Sequence, residues 1–306
     1  MKGLLVLAMK GRMQAVMAAV VTAVLALVVS PLSILSDGLV VLATLRNGPR
    51  EGLLVVLLGT LAMAALGLLL FGAPAALGLM GLMLWLPAWG LALVQGRTRS
   101  LARTIEAATL GGMLLVLFQY FWLGDPASFW SGLLQEYMQQ HWDPQVIPEA
   151  QQRELLAGIA AWMPGGLAGA WTLSMAVAVL FAGWAQGRLE PERRFGEPFR
   201  WLRLSRPWLI LVPVLLLVAL ATPGPSLPGQ LFVVATVPFL LQGLAMAHGL
   251  VAGSGASRGW LAGLYFVLIV GMPYSVTAVA AAGYADGWLD FRARVRGDGP
   301  SGPDER

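Results

Sequence analysis

The sequence predicts an all-α protein, a polytopic transmembrane helical bundle of eight to ten spans. Three observations predict it. Of the 306 residues, 58% are hydrophobic and only 12% are charged, about half the charge of an ordinary soluble domain. Several apolar runs reach the roughly 20 residues that cross a hydrocarbon core of about 30 Å. None shows the short alternating segments of barrel strands. Lipid offers no partner to backbone N–H and C=O groups, so apolar runs of this length must be helices. Twelve Trp and thirty-seven Gly fit the same class, since Trp sits at membrane interfaces and Gly lets helices approach closely.

The spans are expected at 13–29, 33–46, 51–71, 75–95, 104–123, 164–185, 207–222, 229–251 and 260–283. The second and seventh are short, which suits helices shielded by neighbours or partly re-entrant ones. Ser30-Pro31, Asn47-Gly48-Pro49, Gly72-Ala73-Pro74, Pro223-Gly224-Pro225 and Gly253-Ser254-Gly255 mark the breaks between them. The first run follows Lys2, Lys10 and Arg12 like a signal sequence, but no A-x-A cleavage site follows it, so it reads as an uncleaved span.

Orientation follows from the Lys and Arg of the short loops. With the N-terminus cytoplasmic, the inner segments hold Lys2, Lys10, Arg12, Arg46, Arg50, Arg97, Arg99, Arg103, Arg188, Arg193, Arg194, Arg200, Arg203 and Arg206. The outer segments up to residue 229 hold Arg153 alone. The expected location is therefore the bacterial cytoplasmic (inner) membrane. Nine spans would put Arg292, Arg294 and Arg296 outside. A break at Gly271-Met272-Pro273, or a re-entrant short span, returns the C-terminus to the inside.

Residues 1–206 then form a six-span bundle, 207–296 add further transmembrane helices, and 297–306, rich in Gly, Pro, Asp and Ser, read as a disordered tail. Within the bundle, 124–163 is the longest outer segment. Phe129/Trp130, Leu133/Leu134 and Tyr137/Met138 recur every four residues, as do Leu155, Ile159 and Met163. That pattern predicts two amphipathic helices on the outer membrane surface, either capping the bundle or acting as a lid. Segment 186–206 is a basic inner loop suited to anionic lipid headgroups.

The absence of cysteine excludes disulfides, thiolate catalysis and Cys metal sites. Two His, 141 and 248, are too few for most His-based metal sites. There is no Walker A sequence, no G-x-S-x-G, no H-E-x-x-H and no dinucleotide fingerprint after a strand. No acid–base pair lies at one membrane depth. No catalytic residue, metal site or cofactor is expected, and the placing of basic residues beside apolar spans does not suggest nucleic acid.

Polar residues at membrane depth carry the remaining signal, because each is costly unless paired. Asp37, after Ser33 and Ser36, either contacts a cationic or hydroxylated ligand or caps a helix near the outer interface. Gln119 and Tyr120 on the fifth span, with Trp171 and Ser174 on the sixth, either line an outward-facing pocket or form an interfacial aromatic belt. Gln242 and His248 on the eighth span read as interhelical hydrogen-bonding groups, with a proton relay as the alternative for His248. Ala15, Ala19 and Ala23 make a small-residue stripe for close helix packing.

Three stretches carry a resemblance. They are Leu42-Ala43-Thr44-Leu45-Arg46-Asn47-Gly48 with Arg50-Glu51-Gly52-Leu53, then Gln242-Gly243-Leu244-Ala245, and last Asp286-Gly287-Trp288-Leu289-Asp290-Phe291-Arg292. In these the chain resembles the YybS-like family of predicted bacterial membrane proteins. That family is distantly similar to the S components of energy-coupling-factor vitamin transporters and to MreD-type cell-shape proteins. The resemblance implies a six-helix bundle binding a small molecule in its outer half, and a membrane partner subunit docking on the Ala15/Ala19/Ala23 stripe. The spans after residue 206 have no S-component counterpart, and no vitamin motif is present.

Two functions are thus expected. One is a transporter-like, non-enzymatic protein that binds a small molecule or lipid. The other is a scaffold in envelope or cell-shape biogenesis. A polar-lined outer cavity favours the first and a packed outer half the second.

Overall fold

The structure is a computed structural model, and it describes residues 2–141, 148–190, 199–257 and 259–296. Helices follow one another along the chain: α1 (Lys2–Ala8), α2 (Arg12–Leu25), α3 (Leu32–Asn47), α4 (Pro49–Phe71), α5 (Pro74–Thr98), α6 (Leu101–Leu123), α7 (Pro126–His141), α8 (Glu149–Leu189), α9 (Arg206–Ala221), α10 (Leu227–Gly253), α11 (Gly259–Val270), α12 (Tyr274–Leu289) and α13 (Phe291–Arg296). Among the described residues there is no strand.

Five of these helices, α4, α5, α6, α8 and α10, are long and apolar enough to cross a membrane. Helices α2, α9 and α11 are apolar but shorter. Large apolar side chains cover the outer faces: Phe121 is 87% exposed, Leu69 79% and Leu220 75%. Water would not tolerate so much exposed apolar surface. The chain has the architecture of a membrane-embedded helical protein.

The expected breaks explain the helix ends. Gly48 (φ 97°) and Gly72 (φ 66°) take left-handed conformations around α4, and Pro49 and Pro74 open α4 and α5, where the missing N–H costs nothing. The α4 end is tied to α2 by the Arg12 guanidinium, which donates to both Glu51 carboxylate oxygens at 2.8 and 2.7 Å. Asp125 caps α7: its carboxylate accepts from the Ser128 hydroxyl and backbone N–H, which hold its pKa below the usual carboxylate value. The last apolar stretch does break at 271–273, separating α11 from α12.

One expected break is missing. The second amphipathic stretch is not a separate helix: Leu155, Ile159 and Met163 lie on α8, which continues through Pro164 to Leu189. Of the outer amphipathic segment, only α7 is a helix of its own. Residues 142–147, the centre of the basic segment (191–198) and the tail 297–306 lie outside the described residues.

The chain forms two compact units, and they do not divide at residue 206. The first comprises 1–108 and 173–202, the second 109–172 and 203–306. Helices α6 and α8 contribute to both, which is why a division by sequence order fails. In the first unit α3 is the central helix, buried on every side from Ser36 to Thr44 and packed on α2, α4 and α5. Gly38 gives room to Phe181 of α8. In the second unit Val116, Ala168 and Val234 form a core with Met113, Tyr120, Leu227 and Leu231 packed against it. There α10 and α12 cross at Gly243 and Gly283, where a Cβ on Gly283 would strike the Phe239 carbonyl and the Gly243 backbone. Such close approach is what small residues give to membrane helices.

Candidate functional site

The expected five-residue pocket divides between the units. Asp37 and Ser174 belong to the first; Gln119, Tyr120 and Trp171 belong to the second. Within the second unit, Trp171 packs on Gly111, whose Cβ would lie 3.0 Å from the indole ring. Gln119 instead reaches Pro164, with 3.4 Å from its Nε2 to the Pro164 carbonyl. Helices α6 and α8 run antiparallel here, so the two contacts lie roughly two turns, about 10 Å, apart along α8. Gln119 and Trp171 therefore do not converge at one level, and Tyr120 packs into the Val116/Ala168/Val234 core.

Gln119 does something else. Its Oε1 accepts from Trp130 Nε1 at 3.1 Å, and its Nε2 also donates to the Leu115 carbonyl at 3.4 Å. One half-buried amide thus latches α7 to α6 and α8. Adjacent to Pro164, one face of α8 carries a groove of about 780 Å³ lined by Gln151, Glu154, Leu155, Ile159, Trp162 and Leu167, among others. It is polar at the N-terminal end and apolar at the other. Trp162 also stands 3.5 Å from where a Gly229 Cβ would be.

The remaining expected residues are structural in their contacts. Ala15, Ala19 and Ala23 are at most 1% exposed. Their stripe is covered by the chain's own α3, whose Ser36 hydroxyl donates to the Ala19 carbonyl at 2.7 Å. It is not open for a partner subunit. Gln242 is fully buried and accepts from the Leu204 N–H at 2.9 Å while donating to the Gly283 carbonyl at 2.8 Å. It fixes the connector before α9 to the α10/α12 pair. His248 lies within 3.0 Å of the Tyr265 hydroxyl, at a half-buried position.

Asp37 is 1% exposed, and among the described residues its Oδ1 has no hydrogen-bond partner. It is not a helix cap: α3 begins five residues earlier, at Leu32, with no side-chain cap. It lies level with Gly59, at the middle of α4 (Pro49–Phe71), as the register of the α3–α4 hairpin below requires.

Sequence reasoning missed Gln230, and it named Asp286 and Arg292 as part of the 286–292 stretch without pairing them. Gln230 is fully buried and sits inside the α8 backbone ladder: its Oε1 accepts from the Gly165 N–H and its Nε2 donates to the Ala161 carbonyl, each at 2.7 Å. Asp286 and Arg292, 0% and 3% exposed, form an ion pair at 2.6 Å. Around that pair, Arg203 meets Asp290 at 2.8 Å, and Asp286 Oδ1 accepts from the Phe291 N–H at 3.2 Å. Asp290 takes φ 46°, a conformation Asp tolerates, and so turns α13 back on α10. Asp286, Asp290, Phe291 and Arg292 fall within the 286–292 stretch of the sequence. No family model, curated protein or solved structure matches the chain.

Proposed function

We propose that the chain is a multi-pass protein of the bacterial inner membrane, N-terminus cytoplasmic, that binds a small amphiphile or lipid without catalysing chemistry. The binding region is the outward end of the second unit. The observation that carries the reading is the groove along α8. Gln151 and Glu154 offer hydrogen-bonding and charged groups at one end, while Ile159, Trp162 and Leu167 offer apolar walls at the other. An amphiphile has the same division, and ligand sites combine apolar walls with a few polar groups in this way. The S-component and YybS-like resemblance agrees with a binding role and leaves the ligand open.

The test is native mass spectrometry of the protein extracted in mild detergent. A bound amphiphile should be seen, and Trp162→Ala should release it while the protein stays folded. Retention unchanged in Trp162→Ala would remove the groove from consideration. The scaffold reading has its own support, because the hydrogen bonds of Gln119 hold α7 to α6 and α8. If nothing co-purifies, that reading takes precedence.

The orientation has a separate test, since the chain contains no cysteine. Single cysteines at Gln139 and at Arg188, both exposed, should differ in labelling by a membrane-impermeant reagent. Gln139→Cys should label on intact cells and Arg188→Cys only after lysis. The opposite pattern would invert the topology.

A further inference from the structure

Two buried oxygens in the first unit lack partners among the described residues: Asp37 Oδ1 on α3 and Thr60 Oγ1 on α4. Only Gly48 separates these helices, so they run antiparallel as a hairpin. Their register is fixed at Thr44 and Gly52, where a Cβ on Gly52 would strike the Thr44 side chain. Seven residues is nearly two helical turns, so a residue seven positions away returns to within about 20° of the same face. Asp37 is seven before Thr44, and Gly59 is seven after Gly52. Asp37 therefore faces α4 at the level of Gly59, beside Thr60.

Trp85 of α5 ties that level together. A Cβ on Gly59 would lie 2.7 Å from its ring, and its Nε1 donates to the Ser36 hydroxyl at 2.9 Å. The indole is itself fully buried. Ser36 spends its own proton on the Ala19 carbonyl, so it brings no donor to the neighbouring carboxylate. Among the described residues, Asp37 has no cationic side chain paired with it.

We propose that Asp37 and Thr60 hold a single sodium ion in the middle of the first unit. A lone carboxylate at membrane depth is among the costliest groups a protein can bury without a counter-charge. One monovalent cation balances one carboxylate. Calcium or magnesium would call for more ligating oxygen charge, and among the described residues no three His, Asp or Glu gather. A proton would answer the carboxylate alone; a cation uses the hydroxyl oxygen too, and hard cations prefer oxygen ligands of both kinds. The proposal does not rest on the α8 groove, which lies in the other unit.

The test is the melting temperature of the purified full-length protein, followed by tryptophan fluorescence in sodium, potassium or choline chloride at constant ionic strength. Binding to the folded state raises the melting temperature with ligand concentration, so the parent should melt higher in sodium than in either other salt. Asp37→Asn keeps the side-chain shape and should abolish the sodium response. Thr60→Val should keep the response but shift its midpoint to about tenfold higher sodium, as expected for loss of one neutral ligand. Direct uptake of radioactive sodium should saturate at one ion per chain. Equal melting in all three salts, or a sodium response that survives Asp37→Asn, would overturn the site and leave a buried water or a proton as its occupant.

Discussion

The Arg292→Met protein should unfold about 3–5 kcal/mol more easily than the parent, the usual cost of removing one partner from a buried ion pair. Asp286 is fully buried, and its Oδ2 lies 2.6 Å from Arg292. Methionine fills much of the space but leaves the carboxylate without a counter-charge. The Phe291 N–H stays on Oδ1, and one neutral donor does not replace a guanidinium. The loss should be smaller when both charges go together. Asp286→Asn with Arg292→Met should recover a good part of the stability, and the coupling measured by the double-mutant cycle should exceed about 1 kcal/mol. Unfolding in mixed micelles, followed by tryptophan fluorescence, gives all four corners of the cycle. A single variant within about 0.5 kcal/mol of the parent, the range of ordinary surface changes, would mean the pair is solvated in the folded protein. The exposed Arg12–Glu51 pair is the internal control. Both side chains are more than a third exposed, and surface pairs contribute little, so Arg12→Met should leave stability nearly unchanged.

Much of the secondary structure was legible because it depends on local signals. The turns at Pro31, Gly48-Pro49, Gly72 to Pro74 and Gly253 to Gly255 lie where left-handed glycines and helix-opening prolines put them. The break at Gly271 to Pro273 was legible as an alternative from the same signals and from the basic residues beyond it. What failed depends on partners distant in sequence. Pro164 was read as a boundary between a surface helix and a span, a fair inference from local chemistry. Its helix survives because Gln230, 65 residues away from Gly165, completes the backbone. Asp37, after two serines near the start of a run, has two sequence readings, a contact to a cationic or hydroxylated ligand and a helix cap, and the start of α3 at Leu32 removes the cap. Its depth is set by the register of α4, which only the Thr44–Gly52 contact reveals. The alanine stripe packs on α3 of the same chain, a contact that spacing on α2 alone does not specify. For the candidate pocket, the sequence could pair α6 with α8 but not fix their register. That register separates Gln119 from Trp171 and turns a supposed ligand contact into a latch for α7.

The Gln230→Leu protein should lose about 2–6 kcal/mol of stability, since two buried backbone groups lose their partners at roughly 1–3 kcal/mol each. Proline at 164 cannot donate to the carbonyl four residues back, and its ring pushes the preceding turn aside. The adjacent bond, from the Gly165 N–H to the Ala161 carbonyl, is replaced by the Gln230 amide, which takes the N–H on its oxygen and gives its own N–H to the carbonyl. A side chain inserted in the ladder is one of the recognised causes of helix bending, and here it also supplies what the bend removes. Gly165 is part of the arrangement, because a Cβ there would lie 2.6 Å from Gln230 Oε1 and 2.9 Å from the Gln230 backbone. Leucine has similar volume and no hydrogen bonds, so the loss should come from the unpaired groups and not from a cavity. Amide exchange offers a local readout: the Gly165 N–H should exchange faster in Gln230→Leu while amides near Ser36 and Thr44 stay protected. The decisive variant is Pro164→Ala. With alanine at 164 the helix can straighten and the Gly165 N–H can return to the Ala161 carbonyl. Pro164→Ala should therefore rescue a large part of the Gln230→Leu loss, a coupling that a merely space-filling glutamine would not show. If the two substitutions add without coupling, Gln230 does not complete the α8 ladder, and the unbroken run of α8 through Pro164 must have another cause.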